Sequence, residues 1–461
     1  MKKYDAIVIG GGPGGYAAAV RLAQNGKKAA LIEREKLGGV CLNWGCIPTK
    51  TLIKNAEAID LLHSGELFGF SFDMQSLKTD YTAAYKRSRK VSTRLVSGIE
   101  YLMKKNGIDI IYDSAGFKDS RTITTTEYGE LSADSFIIAA GARPRTIPGI
   151  DYSDPRVMTS KNALELVTVP RSVVIVGAGA IGMEFANIWN AYGCTVTLVE
   201  MQDDVLPNED KEISAAIRRE FNRKGIKTLV KTRVEKVACK SDGVYVTVSD
   251  GGMAQELVCD KILISAGVIP NTEELGLNNA GIVVERGYIK IDEDMRTNIP
   301  DIYAAGDITG KLPLAHAASA QGVAAADSIA GKPHTALNYI NMPKCTYCTP
   351  EIASVGLTEE QALKEGYEIK IGKCPFSANG KALAANESAG FVKIVSDLQY
   401  GTVLGVHMIG SHVTELIAEC AVLIKLEVSC EEVAAVTHPH PSLSEAIMEA
   451  AGDAFGAAIN I

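Results

Sequence analysis

Residues 4–16 read Tyr4-Asp5-Ala6-Ile7-Val8-Ile9-Gly10-Gly11-Gly12-Pro13-Gly14-Gly15-Tyr16. The apolar run from Tyr4 to Ile9 predicts a buried parallel strand, and Tyr16 to Gln24 predicts a helix. Between them, Gly10, Gly12 and Gly15 spell G-x-G-x-x-G. In such a unit the first glycine permits a tight turn. The second lets a pyrophosphate approach the backbone, and the third lets the helix pack on the strand. Free N–H groups and the positive end of the helix dipole then face the phosphates. A second strand, Ala29 to Ile32, leads to Glu33, which is positioned to accept from ribose hydroxyls.

The same order returns later in the chain. Ser172 to Val176 predicts a strand, Gly177, Gly179 and Gly182 open a helix, and Thr195 to Val199 leads to Glu200. Glu33 lies 23 residues after Gly10, and Glu200 lies 23 residues after Gly177. A single Gly-rich turn is common. Two copies with an acid at equal spacing point to two dinucleotide sites, a flavin in one and a nicotinamide in the other. Near Asp301-Ile-Tyr-Ala-Ala-Gly-Asp307 a strand ends in Gly-Asp, and a helix starts near Pro313. Here the chain can return to its first domain and set the Asp307 carboxylate against a flavin's ribityl chain.

The expected fold is α/β, with two Rossmann-like dinucleotide-binding domains plus a C-terminal α+β dimerisation domain. Residues 1–145 and 273–340 are assigned to the first, with a long amphipathic helix from Tyr81 to Asn106. Residues 146–272 form the second, where alternation from Val234 to Val248 predicts a hairpin. Residues 341–461 alternate strands (Phe391 to Val395, Thr402 to Ile409) with helices (Val413 to Leu426). They carry no nucleotide motif and so need another job, for which dimerisation is the expectation.

A chain of 461 residues is too long for one ordinary core, in keeping with about three domains. Its net charge of −8, with both signs interspersed, argues against a nucleic-acid partner. No apolar run reaches the roughly 18 residues that span a bilayer. MKKYDAIVIG enters a strand at once, with no room for a signal core, so a cytoplasmic location is expected. Ten cysteines are too sparse for a disulfide framework, and in a reducing compartment any bridge should be catalytic or redox-sensing. Cys194, Cys239, Cys374, Cys420 and Cys430 lie in apolar or amphipathic runs and read as small core hydrophobes. Cys345-x-x-Cys348 has no second pair and no nearby His, so no metal site is expected.

Two cysteines stand apart, in Gly38-Gly39-Val40-Cys41-Leu42-Asn43-Trp44-Gly45-Cys46-Ile47-Pro48-Thr49-Lys50. Five residues apart on an ideal helix, their Cα atoms would be roughly 8 to 9 Å apart. A disulfide needs less than about 7 Å. A Cys41–Cys46 bridge therefore demands a distorted turn, for which Gly45 supplies permissive backbone. So small a loop is strained and easily reduced, which suits a redox couple. Near the C-terminus, Thr437-His438-Pro439-His440-Pro441-Ser442-Leu443-Ser444-Glu445 offers a base. Dithiol oxidation needs a group to take a proton, since the thiolate is the nucleophile. An imidazole held by a carboxylate can do so. Ser442-x-x-Glu445 also reads as a capping box for the helix through Ile447 to Ala451.

GGVCLNWGCIPTK, with VIGGGPGG, AAGDIT and HPHPSLSEA, resembles the flavin-dependent pyridine-nucleotide disulfide oxidoreductases over essentially the whole chain. The resemblance implies FAD at the first fingerprint and NAD at the second. It makes Cys41 the interchange thiol, Cys46 the thiol nearer the flavin, and Lys50 a cation near the ring paired with Glu184. It adds Ala115, Gly141, Asp307, Pro313, Leu314, Ala315 and His316 as FAD contacts, and Val234 and Gly267 as NAD contacts. His440 and Glu445 become the acid–base pair, with His440 reaching Cys41 of the partner subunit of a homodimer. The implied reaction oxidises protein-bound dihydrolipoyl groups with NAD⁺. The implied partner is a lipoyl domain of a 2-oxoacid dehydrogenase complex or a glycine-cleavage carrier.

Rivals within the family reduce glutathione disulfide, coenzyme A disulfides or mercuric ion. Glutathione-type members place basic residues after the second acid, whereas this chain has Glu200-Met-Gln-Asp-Asp. Mercury-type members carry a further C-terminal cysteine pair, whereas this chain ends FGAAINI. A docking subunit with an idle redox site is the rival from another class. Two departures stand out. Val40 replaces a frequent Thr, and Pro439 replaces a frequent Ala, which leaves the role of His438 open.

Overall fold

The computed structural model describes residues 2–71, 73 and 76–461, which form two compact units. Among the described residues, no helix is long and apolar enough to cross a membrane.

The first unit is built from the residues up to Thr51 together with Thr82–Arg145 and Gly267–Tyr339. Its sheet places β1 (Lys2–Ile9) between β2 (Ala29–Glu33) and β6 (Gly129–Ile138), all parallel, with β3 (Asp109–Tyr112) beyond β2. The first part of β6 pairs antiparallel with β5 (Thr122–Thr125), which pairs with β4 (Ala115–Asp119). The last part of β6 pairs in parallel with β19 (Ile302–Ala304), the returning strand expected at Asp301 to Gly306. Every residue of β2 is buried, which is why it reads as an apolar run and not as an alternation.

Helix α1 (Pro13–Gln24) packs on α8 (Ala315–Ile329) through small residues. A Cβ on Gly322 would lie 2.1 Å from the Gly14 carbonyl oxygen, so the two backbones touch. Further along, Arg21 grips Asp327 with two hydrogen bonds of 2.7 and 3.0 Å. Helix α4 (Tyr81–Lys105) buries Ala84, Ser88, Ser92, Ile99 and Met103, a stripe at helical spacing. Helix α2 (Gly39–Trp44) and the head of α3 (Cys46–His63) follow β2. Two short antiparallel pairs complete the unit: β7 (Ala142–Pro144) with β16 (Val268–Pro270), and β17 (Val284–Glu285) with β18 (Tyr288–Ile289).

The second unit comprises Leu52–Tyr81, Thr146–Ala266 and Ile340–Ile461. A parallel sheet runs in the order β11 (Lys227–Leu229), β10 (Thr195–Val199), β9 (Ser172–Val176), β15 (Lys261–Ile264), β8 (Val157–Thr159). Around it lie α5 (Ser160–Ala163), α6 (Ala180–Ala191) and α7 (Lys211–Arg223). The expected hairpin is β12 (Arg233–Lys240) with β13 (Gly243–Ser249), extended by β14 (Gln255–Cys259).

The C-terminal part holds an antiparallel sheet in the order β20 (Lys344–Thr346), β21 (Glu351–Gly356), β24 (Val403–Gly410), β23 (Phe391–Asp397), β22 (Ile369–Pro375). Its helices are α9 (Glu359–Lys364), α10 (Gly380–Ala384), α11 (Val413–Lys425), α12 (Cys430–Ala435) and α13 (Glu445–Asp453). Val392, Ile394, Val406 and Met408 meet Ile417, Cys420, Ile447 and Ala451 in its core. The Nζ of Lys393, whose side chain is 1% exposed, lies 3.0 Å from Asp210, 2.9 Å from Glu212 and 2.7 Å from Glu359. Three carboxylates around one buried ammonium tie β23 to α7 and α9, and the ammonium stays charged because of them.

Among the five cysteines expected in the core, Cys194, Cys374, Cys420 and Cys430 are buried. Cys239, on β12, is half-buried.

Candidate active site

The two Gly-rich turns are built alike, glycine by glycine. Gly10 has φ +106° and Gly177 φ +96°, where a side chain is strained. A Cβ on Gly15 would lie 1.8 Å from the Gly10 oxygen, and one on Gly182 2.1 Å from the Gly177 oxygen. These are the helix–strand contacts expected of the third glycine. The second glycines differ. Gly12 (φ −69°) and Gly179 (φ −74°) sit at the heads of α1 and α6 in backbone any residue adopts, and a Cβ there meets nothing within 4 Å. Their lack of a side chain leaves open space at a helix N-terminus, which fits an approaching pyrophosphate.

The two acids share a further feature that the sequence did not disclose. Glu33 accepts from Gly11 N through Oε2 and from Glu35 N through Oε1, both at 2.7 Å. Glu200 accepts from Ala178 N through Oε2 and from Gln202 N through Oε1, both at 2.8 Å. Each carboxylate thus closes its glycine turn and keeps further lone pairs for a ligand hydroxyl.

The remaining expected nucleotide residues fall at strand ends and turns. Ala115 opens β4, and Val234 lies near the start of β12. The Gly141 oxygen accepts from Asn271 N, and the Gly267 oxygen accepts from Arg145 N, both at 3.0 Å. Asp307 follows β19. Burial pushes its carboxyl up, and apart from its own N–H nothing donates to it among the described residues. Pro313, Leu314, Ala315 and His316 lead into α8, with Leu314 as N-cap. Ser319 donates to the Pro13 oxygen at 3.3 Å, so the heads of α1 and α8 converge. A glycine cradle, two helix heads and a carboxylate with no donor but its own N–H among the described residues fit a dinucleotide with a polyol arm.

The redox segment is a broken helix. Gly45 (φ −147°, ψ −117°) ends α2, and Cys46 begins α3. A Cβ on Gly45 would lie 3.0 Å from the Val40 oxygen and 3.3 Å from the Cys41 Cα, so the chain folds back on the first cysteine. Cys41 and Cys46 are thiols within hydrogen-bonding reach of each other. That contact, and then burial, push the Cys41 thiol far up, while the Lys50 ammonium pulls it down. Lys50 lies one turn beyond Cys46 on α3. Asn43 ties the segment together by donating to the Leu37 and Gly39 oxygens at 2.9 Å, and Arg89 of α4 donates to the Asn43 oxygen at 2.6 Å. Sequence reasoning missed Tyr16. Its phenol is pushed up by burial and by the neighbouring Cys41, and its position directly after Gly15 was the available signal.

In the second unit, Glu184 of α6 accepts from Tyr347 N at 3.0 Å. His440 Nδ1 lies 2.9 Å from Glu445 Oε1, and Ser442 N donates to Glu445 Oε2 at 2.8 Å. Capping and histidine orientation, read in the sequence as alternatives, occur together on one carboxylate. The capping box itself is incomplete: α13 begins at Glu445, and the Ser442 hydroxyl pairs with the Ser444 hydroxyl. The Ser442 amide, and then the His440 ring, hold the Glu445 carboxyl below its usual range. The His440 side chain is 78% exposed, which leaves Nε2 open. Among the described residues no cluster of three or more His, Cys, Asp or Glu could hold a metal.

Two family models match the chain: pyridine nucleotide-disulphide oxidoreductase over residues 4–322, and the dimerisation domain of the same enzymes over residues 342–451. A dihydrolipoyl dehydrogenase of Corynebacterium glutamicum is 45% identical, the match covering 99% of each chain. One of Rhizobium etli is 41% identical over 100% of this chain and 99% of the relative. Among solved structures, LpdA from Mycobacterium tuberculosis superposes with a TM-score of 0.90 at 29% identity, covering 98% of this chain and 99% of that one. The HOCl-induced flavoprotein disulfide reductase RclA from Escherichia coli gives 0.87 at 28% identity, covering 96% and 98%.

Proposed function

The chain belongs to the pyridine nucleotide-disulphide oxidoreductase family, and we infer from this that it oxidises protein-bound dihydrolipoyl groups to lipoyl groups, with reduction of NAD⁺. The observation that carries the reading is the broken helix that brings Cys41 and Cys46 together beside Lys50. FAD, when bound, supplies the two-electron relay from the cysteine pair to NAD⁺.

The chain's own residues do the sulfur chemistry. A substrate thiol loses its proton to His440 Nε2, and the thiolate attacks Cys41 Sγ of the Cys41–Cys46 disulfide. Cys46 leaves as a thiolate, stabilised by Lys50. The second substrate thiolate then attacks the substrate sulfur bound to Cys41, closing the cyclic disulfide and freeing Cys41. The substrate is oxidised by two electrons, which remain on the cysteine pair until they leave as hydride. Of the two thiol protons, one is carried by NADH and one goes to solvent. Glu445 holds the proton on His440 Nδ1, so Nε2 is the basic atom.

The dimerisation-domain match supports a homodimer, in which we assign His440 to Cys41 of the other copy. Its exposure within one chain is in keeping with that role. A lipoyl domain of a 2-oxoacid dehydrogenase complex or a glycine-cleavage carrier is the proposed electron donor. Lipoamide, glutathione disulfide and a coenzyme A disulfide, each tried with NADH and NADPH, test the reading. Turnover should concentrate on lipoamide with NADH. Preference for either other disulfide would overturn it.

A further inference from the structure

His438, two residues before the proposed base, is itself a tethered histidine. Its Nε2 lies 2.9 Å from Glu419 Oε1 on α11, and its Nδ1 lies 3.0 Å from the Val436 oxygen. The His438 side chain is 5% exposed, against 78% for His440. Both atoms facing the ring are acceptors. One is a carboxylate oxygen on a helix and the other a backbone carbonyl, so the ring is held at both nitrogens.

The connection to His440 is short and stiff. Pro439 separates the two histidines and Pro441 follows the second, and each fixes its own φ near −65°. On the far side the segment is pinned by Asn379 Nδ2 donating to the Ser442 oxygen at 2.9 Å, and by Glu445. On the near side, His438–Glu419 is the side-chain tether to a helix. Among the described residues, His440 itself is held through Nδ1 alone.

We propose that His438 and Glu419 form a positioning pair, in which the buried His438 ring anchors the 438–441 segment to α11 and so aims His440 Nε2. This rests on the reading of His440 as the acid–base group. It gives His438 a task that touches neither substrate nor cofactor.

The test uses the FAD-loaded dimer and separates two half-reactions, reduction by dihydrolipoamide and reduction by NADH. His438→Ala and Glu419→Ala should slow the dithiol half-reaction by between about 10- and 100-fold, the range expected of a misplaced catalytic group. Both should leave NADH-driven reduction at the wild-type rate. Glu419→Gln keeps an acceptor for Nε2 and should restore most of the loss. In a His440→Gln background, His438→Ala should add nothing, because its effect acts through His440. Equal slowing of both half-reactions, or losses that multiply in the double variant, would overturn the pair. If His440→Gln alone left the dithiol half-reaction intact, the base assignment would fall first and the positioning role with it.

Discussion

Replacing Gly179 by alanine separates what the fold asks of this glycine from what a ligand asks of it. At φ −74° and ψ −178° alanine is unstrained, and its Cβ would meet nothing within 4 Å. Stability should therefore change by no more than about 0.5 kcal/mol. With a nucleotide bound, the same methyl would stand between the head of α6 and the pyrophosphate. Loss of two charged hydrogen bonds, each about 1.5–3 kcal/mol, sets a minimum of about 3 kcal/mol. At 1.4 kcal/mol per tenfold, KM for NADH should rise about 100-fold. Gly182→Ala is the contrasting variant, since its Cβ would lie 2.1 Å from the Gly177 oxygen. There α6 must move off its strand, at a cost of about 1–3 kcal/mol in stability. Saturation kinetics of NADH-driven reduction, with thermal unfolding of both variants, reads the two effects separately. An unchanged KM in a stably folded Gly179→Ala would refute the argument that the open space serves the pyrophosphate.

Lys393→Met should lower stability by about 3–5 kcal/mol, measured by denaturant unfolding, because Asp210, Glu212 and Glu359 lose their shared cation; a change under about 1 kcal/mol would show the cluster to be self-sufficient. NADH should be preferred over NADPH by about 100-fold in kcat/KM, since Glu200 opposes a 2′-phosphate and like charges cost several kcal/mol; equal values would contradict this. His440→Gln should lower lipoamide turnover by about 10²–10⁴-fold with FAD content intact, and mixing it with Cys41→Ser chains should restore part of the activity in verified heterodimers, whereas no recovery would rule out a shared site. The Glu445 carboxyl is held below its unfolded value, so folding favours its ionised form. Its contribution is present above about pH 4.3 and fades as pH falls through the folded value. Glu445→Gln should thus lower the melting temperature near neutrality, with the gap closing in acid; a gap that widened in acid would reverse the sign.

What the sequence disclosed was local. Gly10, Gly12 and Gly15 were legible because a turn, an open helix head and a helix–strand contact each exclude side chains within one short stretch. Cys41 and Cys46 were legible because five residues cannot bridge without the break at Gly45. Lys393 was not, because its carboxylates lie 34, 181 and 183 residues away and β23 reads as an ordinary apolar strand. The tether from His438 to Glu419 crosses 19 residues between a loop and a helix face, a pairing no periodicity announces. Glu445 was read as a choice between two partners because a sequence does not say that one carboxylate has an oxygen for each.

The bonds from Glu33 and Glu200 back to their own glycine turns bear on how such a chain could change its coenzyme. An acid that only read ribose could be exchanged freely for a neutral or basic residue. Here the same two oxygens latch the loop, so exchange would unlatch it at the moment the specificity changed. A lineage moving toward a phosphorylated nicotinamide would need a replacement that still accepts from Ala178 N and Gln202 N, such as a short amide or hydroxyl, before any arginine could help. Coenzyme choice is therefore entangled with the folding of the loop, and the first step away from NAD is uphill even where the final state is not.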